Sequence, residues 1–268
     1  LYVRYFDVAL QNNIPFPVKP IQFEKKEKKK KIIPTIFIKN EVFLSENINI
    51  EKLSSNILKL INQINLANKI PNSEIQIDCD WSLKSRDKYM DFLKLLKVKY
   101  GKTLSATIRL HQIKYFEKTK VPPVDYGVLM LYNIGSVNAK GEKAIYDKEI
   151  AVQYLPYLEK YPLKIKTALP IFSWLVHTRN EQVVQIISKK NMNDYQNKIN
   201  FDTDYPKHIV TKSGIAFGDF YKKDDILFEE TISPNDIEEM KALINKYSKH
   251  TQTEFIYYDL DQKNLNKN

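Results

Sequence analysis

The sequence is poor in the residues that build several kinds of functional site. A single cysteine, Cys79, excludes an internal disulfide framework. Its place on the apolar side of a strand-like segment predicts a small core residue rather than a reactive thiol. With six glycines in all, the chain has no glycine-rich phosphate loop and no Gly-x-Ser-x-Gly nucleophile motif. No apolar run approaches the roughly 18 residues of a membrane span, so no transmembrane segment is expected.

Arginine is also scarce, although the formal net charge is +10. Of 42 basic residues only four are arginine: Arg4, Arg86, Arg109 and Arg179. Arginine is the preferred residue for bidentate contacts to phosphates and bases, so we expect no nucleic-acid partner. The one dense basic cluster, Lys25 to Lys31, is predicted to be a solvated loop. A patch that binds polyanions or a membrane surface is the alternative for this cluster.

The positions of the histidines predict neither a metal site nor a bound cofactor. His177, His208 and His250 lack metal-ligand spacing to each other or to a carboxylate pair, so we predict no structural zinc and no cofactor. What the chain does have is length and apolar content: 268 residues, 43% of them hydrophobic. These values indicate a globular protein that can bury a sizeable core.

The most informative stretch is Glu74 to Trp81, Glu-Ile-Gln-Ile-Asp-Cys-Asp-Trp. Its strict alternation predicts a strand with Ile75, Ile77 and Cys79 on one face and the polar residues on the other. Asp78 and Asp80 share that polar face, with Cα atoms about 6.5 to 7 Å apart. Two carboxylates on one strand face are costly unless the face opens into a polar cavity or carries function. The pair therefore marks a candidate site.

Similar patterns along the chain predict the other elements. Alternation and β-branched or aromatic content predict strands at Tyr2–Val8, Ile32–Lys39, Leu104–His111, Tyr126–Asn133, Leu163–Trp174, Asp225–Glu229 and Glu254–Asp259. Apolar residues at helical spacing predict helices at Asn49–Lys69, Ser85–Lys99, Lys148–Lys160 and Glu181–Ser188, with a further helix that begins at Ser233. Gln11–Pro20 and Gln112–Asp125 are predicted loops, and Lys189–Lys223 has no clear pattern.

Eight strand candidates, several of them separated by helices, favour an α/β fold of the (β/α)8 TIM-barrel type over residues 1–268. No internal repeat or hydrophilic linker indicates a second domain. The barrel is expected to be irregular. The first two strands lack a connecting helix, the fourth-to-fifth connection is mostly loop, and no helix follows the eighth strand.

Polar and aromatic residues collect at the predicted C-terminal strand ends, where barrels build their sites. These residues are Asp7, Asn40, Asp78, Asp80, Trp81, Arg109, His111, Tyr132, Asn133, Trp174, Glu229, Asp259 and Asp261. Such a mixture suits sugars, because rings stack on aromatic side chains while hydroxyls bond to carboxylates and amides.

Each of these residues also has a purely structural interpretation. Asp7 or Asp259 can cap a following helix. Arg109 and His111, on the polar side of their predicted strand, can neutralise Asp78 and Asp80 in a structural network. Trp174 can belong to the core. The sequence leaves these alternatives open.

Several segments together resemble a known group of proteins. Leu-Tyr-Val-Arg-Tyr-Phe-Asp-Val, Ile-Gln-Ile-Asp-Cys-Asp-Trp, Thr-Ile-Arg-Leu-His-Gln, Pro-Pro-Val-Asp-Tyr-Gly-Val-Leu-Met-Leu-Tyr-Asn-Ile-Gly and Tyr-Tyr-Asp-Leu-Asp are similar to an uncharacterised family of exported or lipid-anchored bacterial proteins. That family is related to glycoside-hydrolase-like TIM barrels. The resemblance implies a cell-envelope or secreted location, with any export signal or tether preceding Leu1.

A more distant resemblance concerns the acidic pair itself. Asp78-x-Asp80 is similar to the Asp-x-Asp-x-Glu motif of chitinase-like hydrolases, in which the Glu is the general acid. Ser82 stands at that position here. Hydrolysis by the mechanism of those enzymes is therefore in doubt.

Two functional hypotheses follow. The first is a glycoside hydrolase, with Asp78 and Asp80 as the acidic centre and Glu229, Asp259 or Asp261 as the partner carboxylate. In it, Arg109 and His111 orient the acids and tune their pKa values, while Asp7, Trp81, Tyr132, Asn133 and Trp174 hold the sugar. The second is a non-catalytic barrel that binds a carbohydrate or cell-wall glycan and has lost the catalytic acid. A monomer is expected in both cases.

Overall fold

A computed structural model describes residues 1–24 and 31–261. The strands are β1 Tyr2–Gln11, β2 Ile14–Val18, β3 Ile33–Ile38, β4 Glu74–Asp78, β5 Thr103–Ile108, β6 Tyr126–Met130, β7 Ile165–Pro170, β8 Trp174–Arg179, β9 Gln182–Ser188, β10 Asn200–Asp204, β11 Lys207–Lys212, β12 Gly214–Ala216, β13 Asp219–Tyr221, β14 Ile226–Glu230 and β15 Phe255–Tyr258. The helices are α1 Asn40–Leu44, α2 Ile50–Asn68, α3 Arg86–Tyr100, α4 Leu110–Lys114, α5 Phe116–Thr119, α6 Lys148–Ala151 and α7 Pro234–Tyr247. Two 3-10 turns, Leu155–Lys160 and Met192–Tyr195, complete the regular structure.

The chain forms two compact units. Unit 1 comprises Leu1–Leu129 and Tyr161–Lys166, and unit 2 comprises Met130–Lys160 and the chain from Thr167 onward. The division passes through β6 and β7 themselves. These two strands belong to an eight-stranded sheet with the order β15-β7-β6-β5-β4-β3-β1-β2.

In unit 1, the strand that ends at Asp78, β4, lies between two parallel strands. β4 pairs in parallel with β3 on one side and β5 on the other, with Ile77 opposite Ala106. The buried core combines alternate strand residues, such as Ile36 and Ile75, with the inner stripes of α2 and α3. Cys79 is 2% exposed and belongs to this core, as its position in the alternation predicts.

The long helices begin and end where their sequence indicates. Asn49 caps α2 by accepting the Lys52 N–H at 2.8 Å, and Lys69 closes the helix in a left-handed conformation. In unit 2, Ser233 and Asp236 form a capping box at the start of α7, where Pro234 occupies the first turn. The predicted helices at Asn49–Lys69, at Ser85–Lys99 and after Ser233 are confirmed within a residue or two.

Unit 2 contains a second, antiparallel sheet with the order β10-β11-β14-β8-β9 and a separate β12–β13 hairpin. One buried cluster lies around Tyr195, Tyr221 and Leu227. A second cluster contains Trp174, Val176 and Ile145. In the same unit, β7 and β15 pair in parallel.

The closed eight-stranded barrel is not confirmed. The Asp225–Glu229 segment, predicted as a barrel strand, is β14, which pairs with β8 and β11 in the antiparallel sheet. The eighth strand of the larger sheet is instead β2, an antiparallel edge strand. Within the described residues, β15 and β2 end the strand order. The confirmed fold is an α/β arrangement with a mostly parallel eight-stranded sheet.

Two local predictions were wrong for the same reason. The Glu181–Ser188 helix is strand β9, and the Gln11–Pro20 loop contains strand β2. Each strand follows a two-residue turn in which both residues have positive φ, Asn180–Glu181 and Asn12–Asn13. Such turns match the twist of paired strands and close a tight hairpin. Neither turn contains glycine, the residue that most clearly marks such a turn in a sequence.

Of the basic cluster Lys25 to Lys31, only the last residue belongs to the part of the chain that the structure describes. Lys25 to Lys30 lie outside the described residues. Lys31 is described, and its ammonium group lies 2.8 Å from Glu74 Oε2.

Candidate functional site

The candidate site is built in unit 1 at the C-terminal end of β4. Asp78 is the last residue of the strand and is partly buried. Its Oδ1 accepts a hydrogen bond from Thr107 Oγ1 at 2.7 Å. Burial raises the pKa of Asp78, the Thr107 hydrogen bond opposes this, and the negative charge of Asp80 raises it further. A carboxyl in this environment holds its proton more tightly than a carboxyl in water.

Asp80 lies in a different environment, because it forms an ion pair with Arg109. Arg109 Nε donates to Asp80 Oδ1 at 2.8 Å, and Nη2 donates to the same oxygen. The two side chains are 41% and 46% exposed, for Arg109 and Asp80 respectively. The structure thus brings Asp80 and Arg109 together, while Asp78 bonds to Thr107, a residue that sequence reasoning did not single out.

His111 does not share a strand face with Arg109, as the predicted Leu104–His111 strand required. β5 ends at Ile108, and His111 lies on the short helix α4 with its side chain exposed. That prediction was wrong, because the chain turns into a helix one residue after Arg109. Desolvation and the Arg109 charge lower the pKa of the His111 imidazole, against the attraction of Asp80. This favours neutral imidazole at pH 7.

Ser82 occupies the position of the acid in the Asp-x-Asp-x-Glu motif. Its hydroxyl lies 3.3 Å from the Ser85 hydroxyl and accepts from Asn40 Nδ2 at 3.4 Å. Ser85 in turn donates to Asn40 Oδ1 at 2.5 Å. The hydroxyl of Ser82 is therefore engaged in a local polar network. A serine hydroxyl also lacks the readily lost proton of a carboxylic acid.

Unit 1 also contains Asp7 and Trp81, which the sequence analysis predicts to contact the sugar. Asp7 forms an ion pair with Arg4, at 2.5 Å and 2.7 Å for the two N–O contacts. Trp81 is only 4% exposed, and its ring stacks on Tyr89 with a centroid distance of 5.8 Å. Stacking of a sugar on this indole stays a prediction, but most of the ring surface is already covered by protein.

Trp81 also lines a cleft in unit 1 with a volume of about 240 Å³. The remaining lining residues come from the segment after β4 and from α4, α5 and the residue between them: Ser82, Leu83, His111, Tyr115, Lys118 and Thr119. Two of the predicted site residues, Trp81 and His111, therefore meet in one concave surface.

The predicted residues of unit 2 include an aromatic cluster. Tyr132, just after β6, stacks on Tyr258, with a centroid distance of 4.8 Å and an interplanar angle of 7°. Phe172 packs edge-on against both rings and also contacts Trp174. Trp174 is 8% exposed, and its indole N–H donates to Glu230 at 2.9 Å. Sequence reasoning selected Tyr132 and Trp174 but missed Phe172, Tyr258 and Glu230.

The three predicted partner carboxylates, Glu229, Asp259 and Asp261, lie in unit 2. Glu229, on β14, lies 3.7 Å from His208 Nε2. Asp261 lies 3.4 Å from Lys189 Nζ, and Asp259 directly follows β15. Asn133 is exposed and has a left-handed backbone. The role of Glu229, Asp259 or Asp261 as a catalytic partner carboxylate stays a prediction.

In the part of the chain that the structure describes, no group of three or more His, Cys, Asp or Glu side chains is arranged to hold a metal ion. No helix in residues 1–24 and 31–261 combines the length and apolar character needed to cross a membrane.

Comparisons with known proteins support the fold. No protein-family model matches the chain, and no curated protein matches it. Among solved structures, the spore cortex-lytic enzyme SleL of Bacillus cereus matches with a TM-score of 0.57 and 16% identity over 96% of this chain. This chain spans 63% of the SleL chain.

Two further solved structures have a similar fold. A chitinase from Chromobacterium violaceum matches with a TM-score of 0.53 and 12% identity, over 97% of this chain and 86% of its own. A chitinase-like agglutinin from Robinia pseudoacacia matches with a TM-score of 0.56 and 11% identity, over 97% and 87%. The predicted resemblance to glycoside-hydrolase-like barrels is confirmed, and at these identities it concerns the fold alone.

Proposed function

We propose that this protein binds a glycan and does not cleave it through the Asp78–Asp80 centre. The observation that carries the proposal is Ser82, which stands at the position of the general acid with its hydroxyl engaged by Ser85 and Asn40. Glycoside hydrolysis needs a carboxylic acid that protonates the leaving oxygen. Asp80 is a poor substitute, since its Oδ1 is already occupied by the guanidinium group of Arg109.

The aromatic cluster of unit 2 supports sugar binding. Tyr258 keeps 45% of its surface exposed while it stacks on Tyr132. Exposed aromatic rings whose orientation is fixed by neighbours suit the apolar faces of pyranose rings. The solved structures with a similar fold include a chitinase and a chitinase-like agglutinin. We therefore propose a ligand that contains N-acetylglucosamine, such as a cell-wall glycan, and a cell-envelope or secreted location.

A glycoside hydrolase is the second candidate, and the environment of Asp78 favours it. Burial raises the pKa of Asp78, whereas Asp80 pairs with Arg109. A carboxyl with a raised pKa that lies close to a second carboxyl is a common arrangement for the acid of a glycoside hydrolase. In this alternative Asp78 supplies the proton that the missing glutamate supplies in chitinase-like enzymes.

Binding is tested with a matched pair of tyrosines. Tyr257 and Tyr258 are neighbours on β15, are 47% and 45% exposed, and point to opposite faces of the strand. Affinity for N-acetylglucosamine oligomers is measured by titration calorimetry, with glucose oligomers of the same length as a control. We expect Tyr258→Ala to weaken binding about tenfold, as expected for a lost ring contact. Tyr257→Ala should leave it within about twofold.

Two results would argue against the proposal. One is the absence of saturable binding to any of the oligomers. The other is a loss of affinity in Tyr257→Ala that equals or exceeds the loss in Tyr258→Ala, which would move the binding surface away from the aromatic cluster.

A further inference from the structure

The β12–β13 hairpin of unit 2 has one exposed apolar face. Its strands, Gly214–Ala216 and Asp219–Tyr221, form a two-stranded sheet of their own, in which Ile215 lies directly opposite Phe220. The two side chains are 70% and 55% exposed. Because opposite residues of an antiparallel pair lie on the same face, Ile215 and Phe220 together form an exposed apolar pair.

The other face of the hairpin packs against the rest of unit 2. Ala216 and Tyr221 are 3% and 0% exposed and belong to the buried cluster that also contains Tyr195 and Leu227. The hydroxyl groups of Tyr221 and Tyr195 lie 2.9 Å apart and share a hydrogen bond. The inner face therefore fixes the hairpin on the protein, while the outer face stays open to solvent.

A third apolar side chain lies at the turn of the hairpin. Phe217 and Gly218 connect the two strands, both with positive φ, and Phe217 is 44% exposed. Its ring packs edge-on against Tyr195, with a centroid distance of 5.1 Å. The ammonium groups of Lys190 and Lys198 lie 4.0 Å and 5.1 Å from the centre of the same ring. Two positive charges are thus placed next to the exposed turn.

Lysines outnumber carboxylates around the hairpin. Three exposed lysines adjoin its strands in sequence, in addition to the two beside Phe217: Lys212, Lys222 and Lys223. The aspartates of the same segments are Asp194, Asp219 and Asp224. Asp194 is used in the capping box of a 3-10 turn, and Asp219 accepts from Gln185 at 3.2 Å. With five lysines against three aspartates, the surroundings of the hairpin are positive.

The chemistry of the exposed side chains indicates what they bind. Ile215, Phe217 and Phe220 have no polar side-chain atom, whereas a sugar needs polar groups placed beside the apolar contact. Hydrocarbon needs none. Apolar side chains together with lysines are the combination that binds to anionic membranes, since the apolar groups enter the boundary of headgroups and acyl chains while the lysines attract lipid phosphates.

We propose that the β12–β13 hairpin docks on an anionic lipid surface. Ile215 and Phe220 enter the interfacial layer, and Lys190 and Lys198 contact the headgroup phosphates. This inference is independent of the proposed function, because glycan binding is assigned to the aromatic cluster around Tyr258. Either can be right while the other is wrong.

Cosedimentation of the full chain with vesicles tests the proposal. Vesicles of phosphatidylglycerol and phosphatidylcholine in equal parts are compared with vesicles of pure phosphatidylcholine. We expect partitioning to be about tenfold or more stronger onto the anionic vesicles. The double variant Ile215→Ser, Phe220→Ser should weaken that binding about tenfold, through loss of buried apolar surface. The double variant Lys190→Gln, Lys198→Gln should weaken it to a similar extent, and less so at high salt.

Matched controls come from exposed residues of unit 1. Val98 is 79% exposed on α3, and Val98→Ser removes an apolar side chain that lies outside the hairpin. The double variant Lys59→Gln, Lys84→Gln removes two exposed charges. Both controls should leave binding to the anionic vesicles within about twofold of the wild type.

Insertion of the hairpin is measured separately with Phe220→Trp, which keeps an aromatic ring at this position. The native Trp81 and Trp174 are 4% and 8% exposed, so the wild type supplies the background emission. We expect lipids brominated in their acyl chains to quench the added emission.

Several results would overturn the proposal. One is equal binding to both kinds of vesicle, or binding to neither. Another is binding that survives in the Ile215→Ser, Phe220→Ser variant, which would assign it to another surface such as the Lys25 to Lys31 cluster. A loss in the lysine variant alone, together with binding to the soluble acidic glycan polygalacturonate, would assign the surface to acidic glycans. Unquenched emission from Phe220→Trp on bound vesicles would exclude insertion.

Discussion

Asp225 provides the sharpest test of the electrostatics of unit 2. Its side chain is 1% exposed and accepts from Arg179 Nε at 2.8 Å, from His177 Nε2 at 2.9 Å and from the Lys222 N–H at 2.7 Å. Burial alone would raise its pKa, but the hydrogen bonds from Arg179, His177 and the Lys222 backbone outweigh burial and lower it to about 2.

The depressed pKa makes a definite contribution to stability. The ordinary pKa of the group is 3.8, so folding lowers it by almost two units. At about 1.36 kcal/mol per unit, the ionised carboxylate stabilises the fold by roughly 2 to 3 kcal/mol above pH 4. Because the folded pKa lies below the unfolded one, this contribution disappears as the pH falls from about 4 through 2.

We expect Asp225→Asn to lower the free energy of unfolding by about 3 to 5 kcal/mol at pH 6, as the breaking of a buried ion pair usually does. The penalty should shrink by roughly 2 kcal/mol at pH 2.5, where the wild type has lost most of the contribution. The measurement is urea denaturation of both proteins across this pH range. Asp224→Asn, at the exposed neighbouring carboxylate, is the control. A penalty that does not change with pH would refute the reasoning.

Two further predictions concern packing and hydrogen bonding, and both are measured by denaturant unfolding at pH 7. Gly141 has φ +73°, and an added Cβ would lie 2.3 Å from the Phe228 ring, whereas Gly218 has φ +88° and open space around it. Gly141→Ala should cost about 2 to 4 kcal/mol and Gly218→Ala about 1 to 2 kcal/mol, and equal costs would contradict the steric argument. Tyr126→Phe removes the hydroxyl that donates to the buried Glu74 carboxylate, and should cost about 1 to 3 kcal/mol. A cost below about 0.5 kcal/mol would mean that this hydrogen bond contributes little.

The elements that could be predicted from the sequence are those specified by local pattern. The alternation in Glu74–Trp81 and the helical spacing in Asn49–Lys69 each depend on neighbours in sequence, and both elements are present. β9 was missed because Val183, Val184 and Ile186 also fit a helical stripe. The turn at Asn180–Glu181, rather than the strand's own pattern, decides the outcome.

Long-range pairing explains the other failures. β14 has the composition of any half-buried strand, and its sequence does not say that its partners are β8 and β11 rather than a parallel neighbour. Likewise, Tyr132 and Tyr258 stack although they are far apart in sequence. The ion pair of Asp80 with Arg109 could be anticipated, since both lie at the ends of adjacent parallel strands.

The absence of glycan cleavage at the acidic centre of unit 1 is the central claim, and turnover tests it most directly. The measurement is the release of new reducing ends from N-acetylglucosamine oligomers and from peptidoglycan. Wild type, Asp78→Asn and Asp80→Asn are compared at concentrations that saturate binding. We predict saturable binding with no release above background in all three proteins. Turnover by the wild type that is abolished in Asp78→Asn or Asp80→Asn would contradict the account and establish the hydrolase instead.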